Sequence, residues 1–266
     1  MSGPRPLLLL AVLCTALGRA SAQEDGQSLA GKARALQSMT GAPGILYIGD
    51  SHTAGTFGRE IDAMLRSGYP TRRVETYGEC GASALWYLPG NEVSGHTSDC
   101  GTWFHRYNPK DPSKLESLTA PAPTPLLPKL LASRPETVIV ALGANMANWK
   151  KGGLYGVGLA KDIADAVGDA GARCIWIGPP DEAGFLTEAR AREQNKRLNE
   201  RLKETLGDSC VYIPSRTKYD RSWPDAEKLH YPPDAAEAWA IQVFTDLRRI
   251  LGPGGYPASG TSDSAP

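Results

Sequence analysis

Ser51 stands in the run from Gly44 to Gly55, GILYIGDSHTAG. Ile45 to Ile48 is a short, partly β-branched apolar run of strand type, and Gly49-Asp50-Ser51-His52 breaks it before a helical pattern begins. A serine at such a strand-to-helix turn is exposed at the rim of a sheet, where the unpaired N–H groups of the helix start point at it. That suits a nucleophile whose developing oxyanion must be stabilised. The same residues also fit an ordinary glycine turn in which Asp50 or Ser51 caps the helix.

The rest of the chain supplies the elements that would surround such a serine. Phe57, Ile61, Met64 and Leu65 recur at helical spacing, and Gly68-Tyr69-Pro70 ends the pattern. Arg73 to Tyr77 reads as a second strand, Thr137 to Leu142 as a third, Cys174 to Ile177 as a fourth and Cys210 to Ile213 as a fifth. Leu126 to Leu131, Leu159 to Val167, Glu188 to Leu206 and Ala235 to Leu251 read as helices, the last with a capping-box-like start at Asp234 and Glu237. Strands alternating with helices imply a three-layer α/β/α sandwich, flavodoxin-like, with a five-stranded parallel sheet. The segment from Leu85 to Ser117 has no sustained period and reads as an irregular insertion rich in aromatic residues.

In open α/β sheets, ligands sit at the carboxyl ends of the strands. Asp50, Ser51 and His52 follow the first strand, Gly81 the second, Gly143 and Asn145 the third, and His230 precedes the last helix. A nucleophile, hydrogen-bond donors for an oxyanion and a histidine base are what acyl transfer requires.

Gly49-Asp50-Ser51-His52, Gly81, Gly143-Ala144-Asn145 and His230-Tyr231-Pro232 occur in the order and context of the four blocks of the SGNH (GDSL-like) hydrolase family, which the chain resembles from Gly44 to Leu251. The resemblance implies a flavodoxin-like fold and ester hydrolysis through a serine-bound acyl intermediate. It implies Ser51 as nucleophile and His230 as general base. The oxyanion hole would comprise the backbone N–H groups of Ser51 and Gly81 and the Asn145 side-chain amide. The family places Asp three residues before the histidine, where this chain has Glu227; Asp225 has the family's residue type at a different spacing. Glu227 is favoured, because residues three apart share a face of a helical turn, and Asp225 stays open. His52 replaces the leucine of the GDSL motif and has a packing or substrate role.

Trp86, Trp103 and Trp149 lie in loops expected to border the same rim, as sugar-stacking platforms or as loop core. With His52 they are the substrate-rim candidates. The expected substrate is an acylated carbohydrate or another ester, with acetyl the favoured acyl group. Acyl transfer, a lipid or thioester hydrolase, and a polysaccharide-binding protein on a catalytically impaired scaffold are the alternatives.

Arg5, the apolar stretch Leu7 to Leu13 and Ala20-Ser21-Ala22 compose an export signal over residues 1–22. A polar leader over 23–42, a hydrolase-like domain over 43–252 and a disordered tail over 253–266 complete the organisation, with a secreted or periplasmic location expected. No later segment is long and apolar enough for a transmembrane helix. Four cysteines remain after the signal, an even number that favours disulfides in an exported chain. Cys80 and Cys100 flank one loop and are the favoured pair. Cys174 and Cys210 open two strands and either bridge or stay as buried thiols. The 29 basic and 29 acidic residues balance, which argues against a nucleic-acid partner. No CxxC or HxxxH cluster invites a metal, and no cofactor is expected.

Overall fold

The structure, a computed structural model, describes residues 44–91, 93–98, 100–108, 110–148, 153–154, 156–181, 188–217 and 230–252. The export signal, the leader and the tail lie outside these residues, as do Glu227, Asp225 and Trp149.

The first strand, β1 (Ile45–Gly49), is buried along its whole length and is followed at once by the short helix α1 (Ser51–Ala54) and then by α2 (Thr56–Gly68). Strand β2 (Val74–Glu79) lies parallel to β1 on one side, and β5 (Thr137–Ala141) lies parallel to it on the other. Strand β8 (Arg173–Ile177) continues the sheet beside β5, and β9 (Val211–Ile213) beside β8, both in parallel. These five strands are the parallel set that the apolar runs announce.

The sheet is larger than that. Strands β3 (Thr102–Asn108) and β4 (Asp111–Ala120) form an antiparallel hairpin on the outer side of β2, giving seven strands in the order β4-β3-β2-β1-β5-β8-β9. The five-stranded parallel sheet is therefore corrected to a mixed seven-stranded one, and the supposed irregular insertion is in large part this hairpin. Its outer strand reads DPSKLESLTA, mostly polar, because little of it is covered, so no apolar alternation marks it. A separate two-stranded ladder pairs β6 (Ala147–Asn148) with β7 (Gly153–Leu154).

Alternation along the parallel strands builds a core on each face. Ile45, Tyr47, Ile139 and Ile175 pack with α2 and with the last helix, α7 (Pro233–Leu251), through Phe57, Ile61, Trp239 and Val243. On the other face, Leu46, Ile48, Val138, Val140 and Trp176 meet α3 (Ala84–Tyr87), α4 (Leu127–Leu131), α5 (Leu159–Asp169) and α6 (Glu188–Leu206). Three layers result, as expected. Helix α7 begins two residues earlier than its apolar pattern, with Pro233 in its first turn, and no side chain bonds its N-cap Pro232. The capping box at Asp234 therefore does not form, since Pro233 suits the first helical position and starts the helix before Asp234 can act as cap.

Both cysteine pairs are disulfides. Cys80–Cys100 joins the end of β2 to the start of β3, with Cα atoms 5.7 Å apart. Cys174–Cys210 ties the starts of the neighbouring strands β8 and β9, with Cα atoms 4.5 Å apart. Among the described residues no helix is long and apolar enough to cross a membrane.

Candidate active site

Ser51 occupies the first position of α1 because Asp50 ends the strand and caps the helix. The buried Asp50 carboxylate accepts a hydrogen bond from the His52 N–H at 3.0 Å, while the Asp50 N–H donates to the Ala141 carbonyl at 3.2 Å. The turn is tight because glycine stands where a side chain cannot. A Cβ at Gly49 would overlap the Thr53 hydroxyl, and one at Gly78, opposite it on β2, would overlap the backbone at Ala54.

His230 comes from the far end of the chain, just before α7. Its Nε2 lies 3.0 Å from Ser51 Oγ, so the serine hydroxyl can donate to it across 179 residues of sequence. The segment carrying His230 is held on both sides. The Tyr231 hydroxyl sits between the Asp181 carbonyl, after β8, and the Thr217 hydroxyl, after β9. Trp239 of α7 stacks on Phe57 of α2 with ring centroids 3.5 Å apart, and its indole N–H donates to Ser215 Oγ at 2.9 Å.

His52 is only 7 % exposed and does not reach the rim. Its ring lies 5.5 Å from that of His230 and 5.3 Å, edge-on, from that of Trp239. It thus packs behind the base.

Gly81 follows β2 in a turn closed by the Ala82 N–H donating to the Glu79 carbonyl at 3.1 Å. Its φ of +82° is a conformation that glycine adopts without strain. Asn145 lies in a turn of 3₁₀ helix after β5, and its side-chain Nδ2 donates to the Ala82 carbonyl at 2.9 Å. That bond ties the third block to the second and leaves the amide a second hydrogen.

A cleft of about 220 Å³ opens at this point. Ser51, Ala54, Gly55 and His230 form one side, and the Cys80–Cys100 disulfide, Thr102, Trp103 and Thr119 form the other. Trp103 is 5 % exposed, its ring held under the guanidinium of Arg59, which lies 5.3 Å away and donates to Thr119 Oγ1 at 3.2 Å. Trp86 is half-buried against His96, with centroids 4.5 Å apart, and sits beside Gly81. A larger groove of about 380 Å³ is lined by Val157, Gly158, Arg197, Arg201 and Thr205 and has no histidine or carboxylate beside its threonine, whereas the smaller cleft holds the Ser51–His230 pair. Among the described residues no cluster of His, Cys, Asp and Glu could hold a metal ion.

The sequence reading missed the hairpin's part in the cleft and the acid beneath it. Glu79, at the end of β2, is fully buried, and burial pushes its carboxyl up to about 7 against the bond from Thr102. The one available signal was its position, at the carboxyl end of a strand between a glycine and a disulfide cysteine.

A strand-turn-helix serine paired with a histidine ahead of the last helix, on a doubly covered and mainly parallel sheet, is the arrangement that the resemblance to the SGNH hydrolases implies. No family model and no curated protein matches the sequence. Solved structures do match. One is a candidate SGNH hydrolase from Slackia heliotrinireducens, 14 % identical, aligned over 79 % of this chain and 100 % of that one with a TM-score of 0.50. Another is the acetylxylan esterase Axe2 from Geobacillus stearothermophilus, 11 % identical over 83 % of this chain and 99 % of that one, also with a TM-score of 0.50. The chain has the fold of the SGNH (GDSL-like) hydrolases.

Proposed function

We propose that the protein is an exported serine esterase that removes or transfers small O-acyl groups, acetyl first among them, on carbohydrate. The observation that carries this reading is the 3.0 Å contact between Ser51 Oγ and His230 Nε2 at the mouth of a cleft. His230 takes the serine proton as Ser51 attacks the ester carbonyl, and returns it to the leaving alcohol. Water, or an acceptor hydroxyl, then releases the acyl group from Ser51. The N–H groups of Ser51 and Gly81 and the second amide hydrogen of Asn145 hold the oxyanion, each such donor being worth about 3–4 kcal/mol. Glu227, or else Asp225, orients the imidazole.

The volume of the cleft, about 220 Å³, favours a short acyl group. The exposed Thr119 in its wall suits the edge of a sugar, and an acetylxylan esterase shares the fold. The test compares wild type with Ser51→Ala on a chromogenic acetate ester and on acetylated xylan, with acyl chains of increasing length alongside. Turnover is expected to fall at least about a thousandfold in the variant, and wild type is expected to lose activity as the chain lengthens. Equal turnover by the two proteins would refute the nucleophile. Failure of wild type to react with a fluorophosphonate probe would favour a carbohydrate-binding role on this scaffold instead.

A further inference from the structure

Thr102 lines the cleft, and its hydroxyl has two oxygens against it: Glu79 Oε2 at 2.5 Å and the Ala122 carbonyl at 3.1 Å. A threonine hydroxyl has one hydrogen and can donate along only one of these lines. The Ala122 carbonyl can only accept, so the contact with Glu79 is satisfied in full only if the second proton is the carboxyl's own. The other carboxyl oxygen, Oε1, is buried and has no hydrogen-bond partner among the described residues, which a neutral C=O tolerates far better than half of a carboxylate.

The surroundings agree. Among the described residues no cation pairs with Glu79. Tyr87 of α3 faces it and stays neutral, its hydroxyl donating to the Gly49 carbonyl at 2.8 Å. Asp50, which acts on Tyr87 from close by as Glu79 does, is acidic as well. Tyr77 precedes Glu79 on β2, and Arg106 of β3, which lies over Tyr77, is engaged by Glu116 at 2.9 Å. Apart from the bond from Thr102, nothing near Glu79 among the described residues favours its charged form.

We propose that Glu79 is a positioning residue. As a neutral acid it donates to Thr102, Thr102 donates to the Ala122 carbonyl, and this chain fastens the turn that presents Gly81 to the hairpin forming the opposite wall. The backbone takes part too, since the Glu79 carbonyl closes the Gly81 turn and the Cys80 N–H donates to the Gly101 carbonyl at 3.1 Å. Loss of the proton reverses the chain. Thr102 turns its hydrogen to the carboxylate, the Ala122 carbonyl loses its donor, and a buried negative charge appears behind the cleft that Thr102 shares with Ser51. Turnover therefore falls on the alkaline side through Glu79, not through the base.

This rests on the esterase reading for its kinetic arm alone. The test is the pH profile of kcat and KM on the acetate ester for wild type and Glu79→Gln, with infrared difference spectra of wild type between pH 6 and 9. Wild type is expected to give a bell-shaped kcat profile that drops about tenfold or more by pH 9 at little change in KM. Glu79→Gln, which keeps the donor to Thr102, is expected to hold its plateau to pH 9. The wild-type spectrum is expected to lose a protonated-carboxyl band as pH rises, and that band reads the proton whether or not the variant folds. Wild type with the band but no turnover would overturn the esterase reading and uphold the neutral acid. An absent band, or an alkaline limb that Glu79→Gln retains, would overturn the proposal.

Discussion

Keeping Glu79 protonated carries a thermodynamic signature that needs no substrate. In the unfolded chain the carboxyl ionises near its ordinary 4.5, whereas in the fold it ionises at about 7. Below pH 4.5 it is protonated in both states and is neutral with respect to folding. As pH rises from 4.5 to about 7 the unfolded state releases its proton and the folded state does not, so stability falls; above about 7 both are ionised and the loss is complete. At about 1.4 kcal/mol per pH unit, the gap between 4.5 and 7 corresponds to a loss of about 3 kcal/mol. Glu79→Gln has no such proton to lose. The assay is urea unfolding of both proteins from pH 4 to 9, read as the difference in unfolding free energy, with the m-values compared so that a change in the unfolded state is not mistaken for the effect. The difference should be flat below about pH 4.5, rise by about 3 kcal/mol in favour of the variant, and level off above pH 7. A difference independent of pH, or one that moves in the opposite direction, would refute the reasoning from burial and from the proton on Glu79.

Asp62 should show the opposite sign. Burial raises its carboxyl, but bonds from His105, Arg66 and Thr76 outweigh that and hold it below its ordinary value. Its contribution is therefore present at neutral pH and lost as pH falls; Asp62→Ala should cost about 3 kcal/mol at pH 7 and flatten the acid limb of the unfolding curve. Replacing both Cys174 and Cys210 by serine opens a bridge spanning 36 residues and should cost about 4 kcal/mol by chemical denaturation, with little effect on kcat in the folded protein because the bridge is at the strand starts. Trp239→Ala removes the ring stacked on Phe57 and packed edge-on to His52. About 3–5 kcal/mol of stability should go, with kcat falling by more than KM rises, because the support behind His230 goes with it.

How legible each part was depended on how much of it is buried. Ile45 to Ile48 and Val138 to Ile139 sit at 0–1 % exposure in the middle of a parallel sheet, and such strands must be almost wholly apolar, so they stand out as runs. The positions of Ser51, Gly81 and Asn145 at strand ends were readable because each follows such a run. The hairpin was not, since β4 carries Lys114 and Glu116 among its residues and exposes Leu115 and Leu118 at 45 % and 46 %. Its strand character comes from pairing with β3 and leaves no period in the sequence. Glu79 was illegible for another reason. A glutamate beside glycine and cysteine reads as part of a turn facing solvent, and only the pairing of β3 beside it, Thr102 opposite Glu79, brings out the buried acid. His52 was placed next to the nucleophile by sequence and next to the base by the fold, through the ring of Trp239.

The cleft is built from two separate parts of the sheet. Ser51 and His230 belong to the parallel frame and the approach to its last helix, whereas Trp103 and Thr119 belong to a hairpin on the sheet's edge fastened by the Cys80–Cys100 disulfide and by Arg59. Substitutions in that hairpin can reshape the space offered to the alcohol portion of an ester without moving the serine or the histidine. The molecule is thus arranged like a tool with a fixed blade and an exchangeable jaw, the jaw lying between residues 102 and 120.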